Sequence, residues 1–232
     1  FATRLRGGWV SAGGFVDLDD SSPDVVHPQK RFYAGGANSV RGFAQSRLGP
    51  RVLVTDPVEL TTATALGGAG CSPEEVVDLS CDASDLDAGG FNPQPTGGTR
   101  VIEANVEFRV GIARWLEMVA FGDVGQAWGT GEAMSADDLE FTPGLGIRFP
   151  SPVGPIRLDV AYRFSGEENL GVVTTQLRPY DAVFDDTDAC LGGDCALTPW
   201  IVTDELAALT SMVPFGLDSG RLQFHVSIGQ AF

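Results

Sequence analysis

The sequence lacks an apolar run long enough for a transmembrane helix, which needs about 20 consecutive apolar residues. It also has few of the residues that catalysis and metal binding use most, with two histidines and four cysteines. No Gly-X-Ser-X-Gly motif occurs, and neither His27 nor His225 stands in a recognisable pattern with a serine or cysteine nucleophile. We therefore expect no enzymatic activity, no cofactor and no metal site.

Basic residues are scarce: 15 lysines and arginines stand against 31 acids, which gives a net charge of −16. Residues 51–99 hold eight acids and one base, and residues 165–220 hold ten acids and one base, so these two segments carry the whole imbalance. Nucleic acid requires a basic surface, so we expect no nucleic-acid partner. The acidic segments could bind divalent cations or cation-bridged lipopolysaccharide, although charge runs are usually solvated surface.

The four cysteines form two close pairs, one in each acidic segment: Cys71 with Cys81, and Cys190 with Cys195. Local pairs in even number are typical of disulfides formed in an oxidising compartment such as the periplasm or the cell surface. A metal site is the alternative, but the spacings differ from those of zinc-binding cysteine motifs. We predict two disulfides.

The rest of the sequence is dominated by strict alternation of apolar and polar residues. Ile102, Val106 and Phe108 alternate with Glu103, Asn105 and Glu107, and this period of two is that of a β-strand. The same pattern predicts strands at about 2–13, 100–112, 115–128, 141–149, 156–164 and 221–232, with loops at 17–99, 129–140 and 165–220.

Two all-β architectures produce such alternation. A soluble sandwich would turn the apolar face into a core, whereas an antiparallel transmembrane β-barrel would turn it to lipid and the polar face to its lumen. Long loops alternate with short turns at 111–114 and 151–155, which favours the barrel. Because such barrels have about eight strands or more, we expect residues 1–232 to be the C-terminal portion of one barrel domain whose other strands lie upstream.

Residues 31–50 contain the most distinctive motif, in which Arg41 is the one charged residue between Arg31 and Arg47. This segment resembles the sixth-loop signature of the BamA/TamA-type outer-membrane assembly barrels, the bacterial surface antigen family. Further stretches resemble the same family, at 103–108, 121–125, 141–148, 151–159 and 224–232. The family often has tryptophan where this chain has Phe232. The order of the motifs implies strands eleven to sixteen of a sixteen-stranded barrel.

The resemblance also implies roles for particular residues. The lumen loop motif would comprise Gly35, Gly36, Val40, Arg41, Gly42 and Phe43. Arg41 would reach into the lumen and pair with the wall acids Glu107 and Asp123, which the alternation independently places on the polar face. The terminal strand, with Phe224, Gly229 and Phe232, would form one side of a lateral gate.

The function implied by the resemblance is the folding and insertion of other β-barrels through that gate, by pairing of their strands with its exposed edge. The implied partners are unfolded outer-membrane proteins, the lipid bilayer with its lipopolysaccharide, periplasmic chaperones and accessory lipoproteins. The implied location is the bacterial outer membrane.

Other functions are compatible with the same motifs. A two-partner secretion transporter shares the Arg-Gly-aromatic loop, and a TamA-like translocation factor is a closer relative. A passive porin would have no need of the 31–50 motif. Some members of the family carry a patatin-like hydrolase ahead of the barrel, but no nucleophile motif is present here, and His225, which lies on the polar face, is interpreted as a wall residue.

Overall fold

The computed structural model describes residues 1–12, 26–65, 70–84, 86–152, 154–186, 190–193, 195–196, 198–216 and 221–229. The chain forms two compact units. The first, here called the sheet unit, comprises Phe1–Arg51, Pro95–Gly166 and Asp218–Phe232, and the second, the inserted unit, comprises Val52–Gln94 and Glu167–Leu217.

The described residues form mainly β-strands. In chain order the strands are β1 (Ala2–Trp9), β2 (Arg51–Thr55), β3 (Asn92–Pro95), β4 (Arg100–Ala113), β5 (Leu116–Trp128), β6 (Glu140–Phe149), β7 (Ile156–Tyr162), β8 (Glu167–Pro179), β9 (Trp200–Gly216) and β10 (Leu222–Ile228). The α-helices are α1 (Pro57–Ala65) and α2 (Pro73–Val77), and single 3-10 turns lie at Pro28–Lys30, Ala88–Gly90, Ala136–Asp138 and Leu191–Gly193. Neither α-helix has the length and apolar character that crossing a membrane would require.

The sheet unit contains a six-stranded antiparallel sheet in the order β1-β4-β5-β6-β7-β10. The prediction of an all-β, antiparallel fold is thus confirmed. The strand ends differ from the predicted ones by a few residues: β1 ends at Trp9, and β7 at Tyr162. The predicted end of the last strand, at residues 230–232, lies outside the described residues.

The two faces of this sheet have the reverse of the burial found in a soluble protein. On β4, Glu103, Asn105 and Glu107 are buried while Phe108 and Val110 are exposed. The exposed face also carries stacked aromatic pairs, Trp115 with Phe149 and Phe141 with Phe164. The sandwich alternative requires these apolar side chains to be buried in a core, but they are exposed. A polar interior and an aromatic-bearing apolar exterior are the properties of a membrane-barrel wall.

The inserted unit corrects the expectation that 51–99 and 165–220 are loops. Its sheet has the order β3-β2-β8-β9, with β2 parallel to β8 and β8 antiparallel to β9. One face of this sheet and α2 share an apolar core that includes Leu53, Val76 and Val172. The prediction was wrong because strict alternation was the signal used for strands, and stretches of β8 such as Val172-Val173-Thr174-Thr175 do not show it. The strands of this unit contain the acids Glu167, Glu168, Asp204 and Glu205, and its helices contain Glu59, Glu74 and Glu75.

Candidate functional site

The segment 31–50 folds back against the buried, polar face of the six-stranded sheet. Val40, Arg41 and Phe43 at its tip are buried. Gly35 and Gly36 have φ angles of 95° and 110°, in the left-handed region that glycine adopts without steric strain. The turn that they form is closed by a hydrogen bond from the Gly36 N–H to the Phe43 carbonyl, at 3.0 Å. The glycines therefore shape the turn that presents the tip to the sheet.

Arg41 binds two carboxylates of the sheet. Its Nε and Nη2 donate to Oδ2 and Oδ1 of Asp123 at 2.7 and 2.8 Å, a bidentate pair, and its Nη1 donates to Oε1 of Glu107 at 2.5 Å. The Arg41 backbone N–H adds a further bond to Asp123 Oδ2, at 3.1 Å. The guanidinium also lies over the Phe121 ring, 3.5 Å from its centroid. The planar fork of arginine matches such an arrangement, which lysine cannot reproduce.

The register of β4 and β5 brings the two acids together. Asn105 lies opposite Asp123 and Glu107 opposite Phe121, so the two acids are diagonal neighbours on the buried face. The Asn105 amide donates to Asp123 Oδ1 at 2.9 Å and to the Ser39 carbonyl at 2.8 Å, so it connects the sheet to the segment. The pairing that was predicted from the sequence thus has a defined geometric basis.

The charge of Arg41 is maintained despite its burial, with 1% of its side chain exposed. Burial by itself would lower the pKa of this guanidinium, but the hydrogen bonds and negative charges of Asp123 and Glu107 outweigh that effect. The pKa of Arg41 is therefore raised above its ordinary value, and the side chain is a permanent cation.

The site contains charged residues that were not assigned a role from the sequence. Arg148 Nη1 donates to Asp159 Oδ1 at 2.5 Å and its Nη2 to Glu107 Oε1 at 3.3 Å, while Arg109 Nη2 pairs with Glu107 Oε2 at 2.7 Å. Gly146 makes room for the Arg148–Asp159 pair, since a Cβ at residue 146 would lie 2.0 Å from Asp159 Oδ1. The one signal in the sequence was position, because Arg109, Arg148 and Asp159 all lie at the alternating positions that form the polar face of their strands.

A hydrogen bond from Ser39 to Glu103 on β4 also holds the segment, and an ion pair between Glu103 and Arg6 joins β4 to β1. Ser39 Oγ donates to the Glu103 carboxylate, and Arg6 Nη1 pairs with Glu103 Oε2 at 3.1 Å. Glu103 is fully buried, so its charge needs these partners. The segment is therefore attached to the sheet at Ser39 as well as at Arg41.

Two of the residues predicted for the terminal strand, Phe224 and Gly229, lie within the described residues. Phe224 is on the exposed face of β10. Gly229 follows the strand with a φ of 105°, and its N–H donates to the Pro155 carbonyl at 2.9 Å. Phe232 lies outside the described residues.

The cysteines are paired within the inserted unit, Cys71 with Cys81 and Cys190 with Cys195. No group of three or more His, Cys, Asp or Glu side chains in the described ranges is arranged to hold a metal ion. His27 accepts a hydrogen bond from the Gln29 N–H at the start of a 3-10 turn. His225 Nε2 lies 2.9 Å from the Arg41 carbonyl oxygen.

Replacing Gly42 with alanine is expected to displace the tip from the sheet. A Cβ at residue 42 would lie 2.1 Å from Cγ2 of Thr142 on β6. We expect the free energy of unfolding to fall by about 1–3 kcal/mol, the usual cost of overpacking, as measured by urea denaturation in detergent. Gly7→Ala is the control, because a Cβ at residue 7 meets no atom within 4 Å. Equal stability of the two variants would contradict tight seating of the tip.

The chain also matches a known family over its entire length. A family model described as the Omp85 superfamily domain matches residues 1–232. This match confirms the resemblance found in the motifs, and it fits a bacterial outer-membrane β-barrel. The general role of that superfamily is the insertion or translocation of proteins at the outer membrane.

Proposed function

Because the chain belongs to the Omp85 superfamily, we propose that it is the C-terminal part of a BamA-type factor that folds and inserts other β-barrels into the outer membrane. Client strands would pair with the edge of the terminal strand, β10, when the lateral gate opens, by β-augmentation. Backbone pairing and the membrane drive the folding of the client, so the proposed activity requires no catalytic residue. The proposed partners are unfolded outer-membrane proteins, delivered by periplasmic chaperones and accessory lipoproteins.

The geometry of β10 is the observation that carries this proposal. It has 7 described residues, the same number as its partner β7, against 14 in β4 and 13 in β5. Its ladder with β7 has seven residue pairs and so contains few hydrogen bonds, and Gly229, which follows the strand, has a φ of 105°. Its apolar side chains Phe224, Val226 and Ile228 are exposed. A client strand could therefore pair there while it contacts lipid.

The test is site-specific photo-crosslinking in the full-length protein, reconstituted in lipid vesicles. A photoreactive phenylalanine replaces Val226 on β10 or, as the matched control, Leu145 on β6, which is paired with both β5 and β7 at that position. Both side chains are exposed on the apolar face, at 76% and 62%. Unfolded porin is added, and its folding is followed by the heat-dependent shift on SDS gels.

We expect the porin to crosslink at residue 226 and not at residue 145, and to fold faster in vesicles that contain the protein. The secretion and translocation alternatives predict a different contact. A third variant carries the photoreactive phenylalanine at Gln223, on the half-buried face of β10. A soluble passenger polypeptide would crosslink to this variant, and porin folding would not be accelerated. That outcome would contradict an insertion function and support a secretion function.

A further inference from the structure

The segment 31–50 also contacts the terminal strand. His225 on β10 places its Nε2 atom 2.9 Å from the backbone carbonyl oxygen of Arg41. A carbonyl oxygen can only accept, so the His225 Nε2–H donates. The residue that binds the acids of β4 and β5 through its side chain thus holds β10 through its backbone.

Arg157 on β7 forms a second connection between the same two elements. Its Nε donates to Ser227 Oγ on β10 at 2.8 Å, and its Nη2 donates to the Ala37 carbonyl at 3.0 Å and to Asn38 Oδ1 at 2.8 Å. Arg157 is buried, yet the acceptors of these bonds are neutral. Its Nη1 makes no hydrogen bond to any described residue. The hydrogen bonds of Arg157 therefore bridge β10 and the segment 31–50, and none of them goes to a carboxylate.

These contacts use the polar side of β10. Gln223, His225 and Ser227 are half-buried, whereas Phe224, Val226 and Ile228 are exposed. The ladder between β10 and β7 has seven residue pairs, so two side-chain connections are a substantial addition to what holds the strand. The His225 bond attaches β10 directly to the segment 31–50, whereas the Ser227 bond attaches β10 to its ladder partner Arg157 on β7, which in turn binds the segment.

We propose that His225, Arg157 and Ser227 are positioning residues that form a latch between the terminal strand and the segment 31–50. The inference rests on the proposed function, in which β10 borders the lateral gate. Movement of β10 away from the lumen must break the His225–Arg41 and Arg157–Ser227 hydrogen bonds. The segment that carries Arg41 thereby controls how often the edge of β10 becomes available to a client.

The latch is tested by amide hydrogen exchange of the full-length protein in vesicles, read by mass spectrometry. His225→Leu and Ser227→Ala each remove one connection. Since a hydrogen bond of ordinary net strength changes an opening equilibrium ~5-fold, we expect about fivefold faster exchange of the β10 amides in each variant. The amides of β4 and β5 should exchange as before.

Three further variants separate positioning from a general structural role. His225→Gln and Ser227→Thr retain a donor and a hydroxyl, so they should restore the original exchange rates. Gln223→Ala is the matched control, since residue 223 lies on the same face of the strand and its side-chain amide bonds to the neighbouring Phe224 carbonyl. Unchanged exchange in His225→Leu and Ser227→Ala would overturn the latch, as would equal acceleration in β4 and β5.

The link to the gate has its own measurement, the crosslinking of unfolded porin at residue 226. A freer edge should raise the crosslinking yield about fivefold in His225→Leu and Ser227→Ala, in proportion to exchange. Faster exchange without more crosslinking would overturn control of client access by the latch. If porin fails to crosslink even to the otherwise unaltered protein, the proposed function fails, while the exchange data still decide whether the latch exists.

Discussion

Arg41→Ala is expected to detach the segment 31–50 from the sheet and to produce the largest loss of stability of any single substitution in this unit. The substitution leaves the buried carboxylates of Asp123 and Glu107 without their shared cation. Breaking a buried ion pair by removing one partner costs about 3–5 kcal/mol. Glu107 keeps Arg109 and Arg148 as partners, so most of the cost falls on Asp123.

The measurement is urea denaturation of the full-length protein in detergent, together with the heat-dependent shift on SDS gels. Arg41→Lys should be intermediate, because it retains the charge and loses the bidentate fork. Arg47→Ala is the control in the same segment, since Arg47 is half-buried and forms no ion pair with any residue that the structure describes. Its expected effect lies within about 0.5 kcal/mol.

A charge reversal tests the pairing itself. Arg41→Asp and Asp123→Arg should each be unstable, and the double variant should recover part of the loss, because the opposite charges again face each other. Recovery will be incomplete, since Glu107 remains and would now be close to a second acid. Normal assembly of Arg41→Ala, with no recovery in the double variant, would show that the ion pair does not hold the segment.

Loss of the Cys71–Cys81 disulfide is expected to be the second largest effect, and it should be confined to the inserted unit. The bond spans a sequence separation of 10, and both cysteines belong to the apolar core of that unit. The chain-entropy relation gives about 3 kcal/mol for a loop of this length and about 2 kcal/mol for the shorter one closed by Cys190–Cys195. The paired substitutions are Cys71→Ala with Cys81→Ala, and Cys190→Ala with Cys195→Ala.

Limited proteolysis at increasing urea concentration distinguishes the two units. The first double variant should expose cleavage sites in 52–94 and 167–217 at lower urea than the second, while fragments from the six-stranded sheet remain protected. Equal sensitivity of the two double variants would contradict the loop-length argument. Simultaneous loss of protection in both units would mean that they unfold as one.

The sequence by itself determined the six-stranded sheet, because the period of two must place alternate side chains on opposite faces. It also identified Arg41, Glu107 and Asp123, because all three belong to recognisable motifs. Glu107 and Asp123 also lie at the alternating positions that form the polar face of the sheet. The same parity placed Arg148, Asp159 and His225 on the polar face, but parity cannot say which of many polar side chains meet. That depends on strand register and on where a distant segment docks.

The fold of the inserted unit was decided only by the tertiary structure. Its β2 and β8 are separated by more than a hundred residues and pair in parallel, so neither strand carries a local signal of its partner. The latch likewise joins Arg157 to Ala37 across 120 residues. Alternation is a property of adjacent residues and can be read along the chain, whereas these contacts form only when separate segments pack together in space.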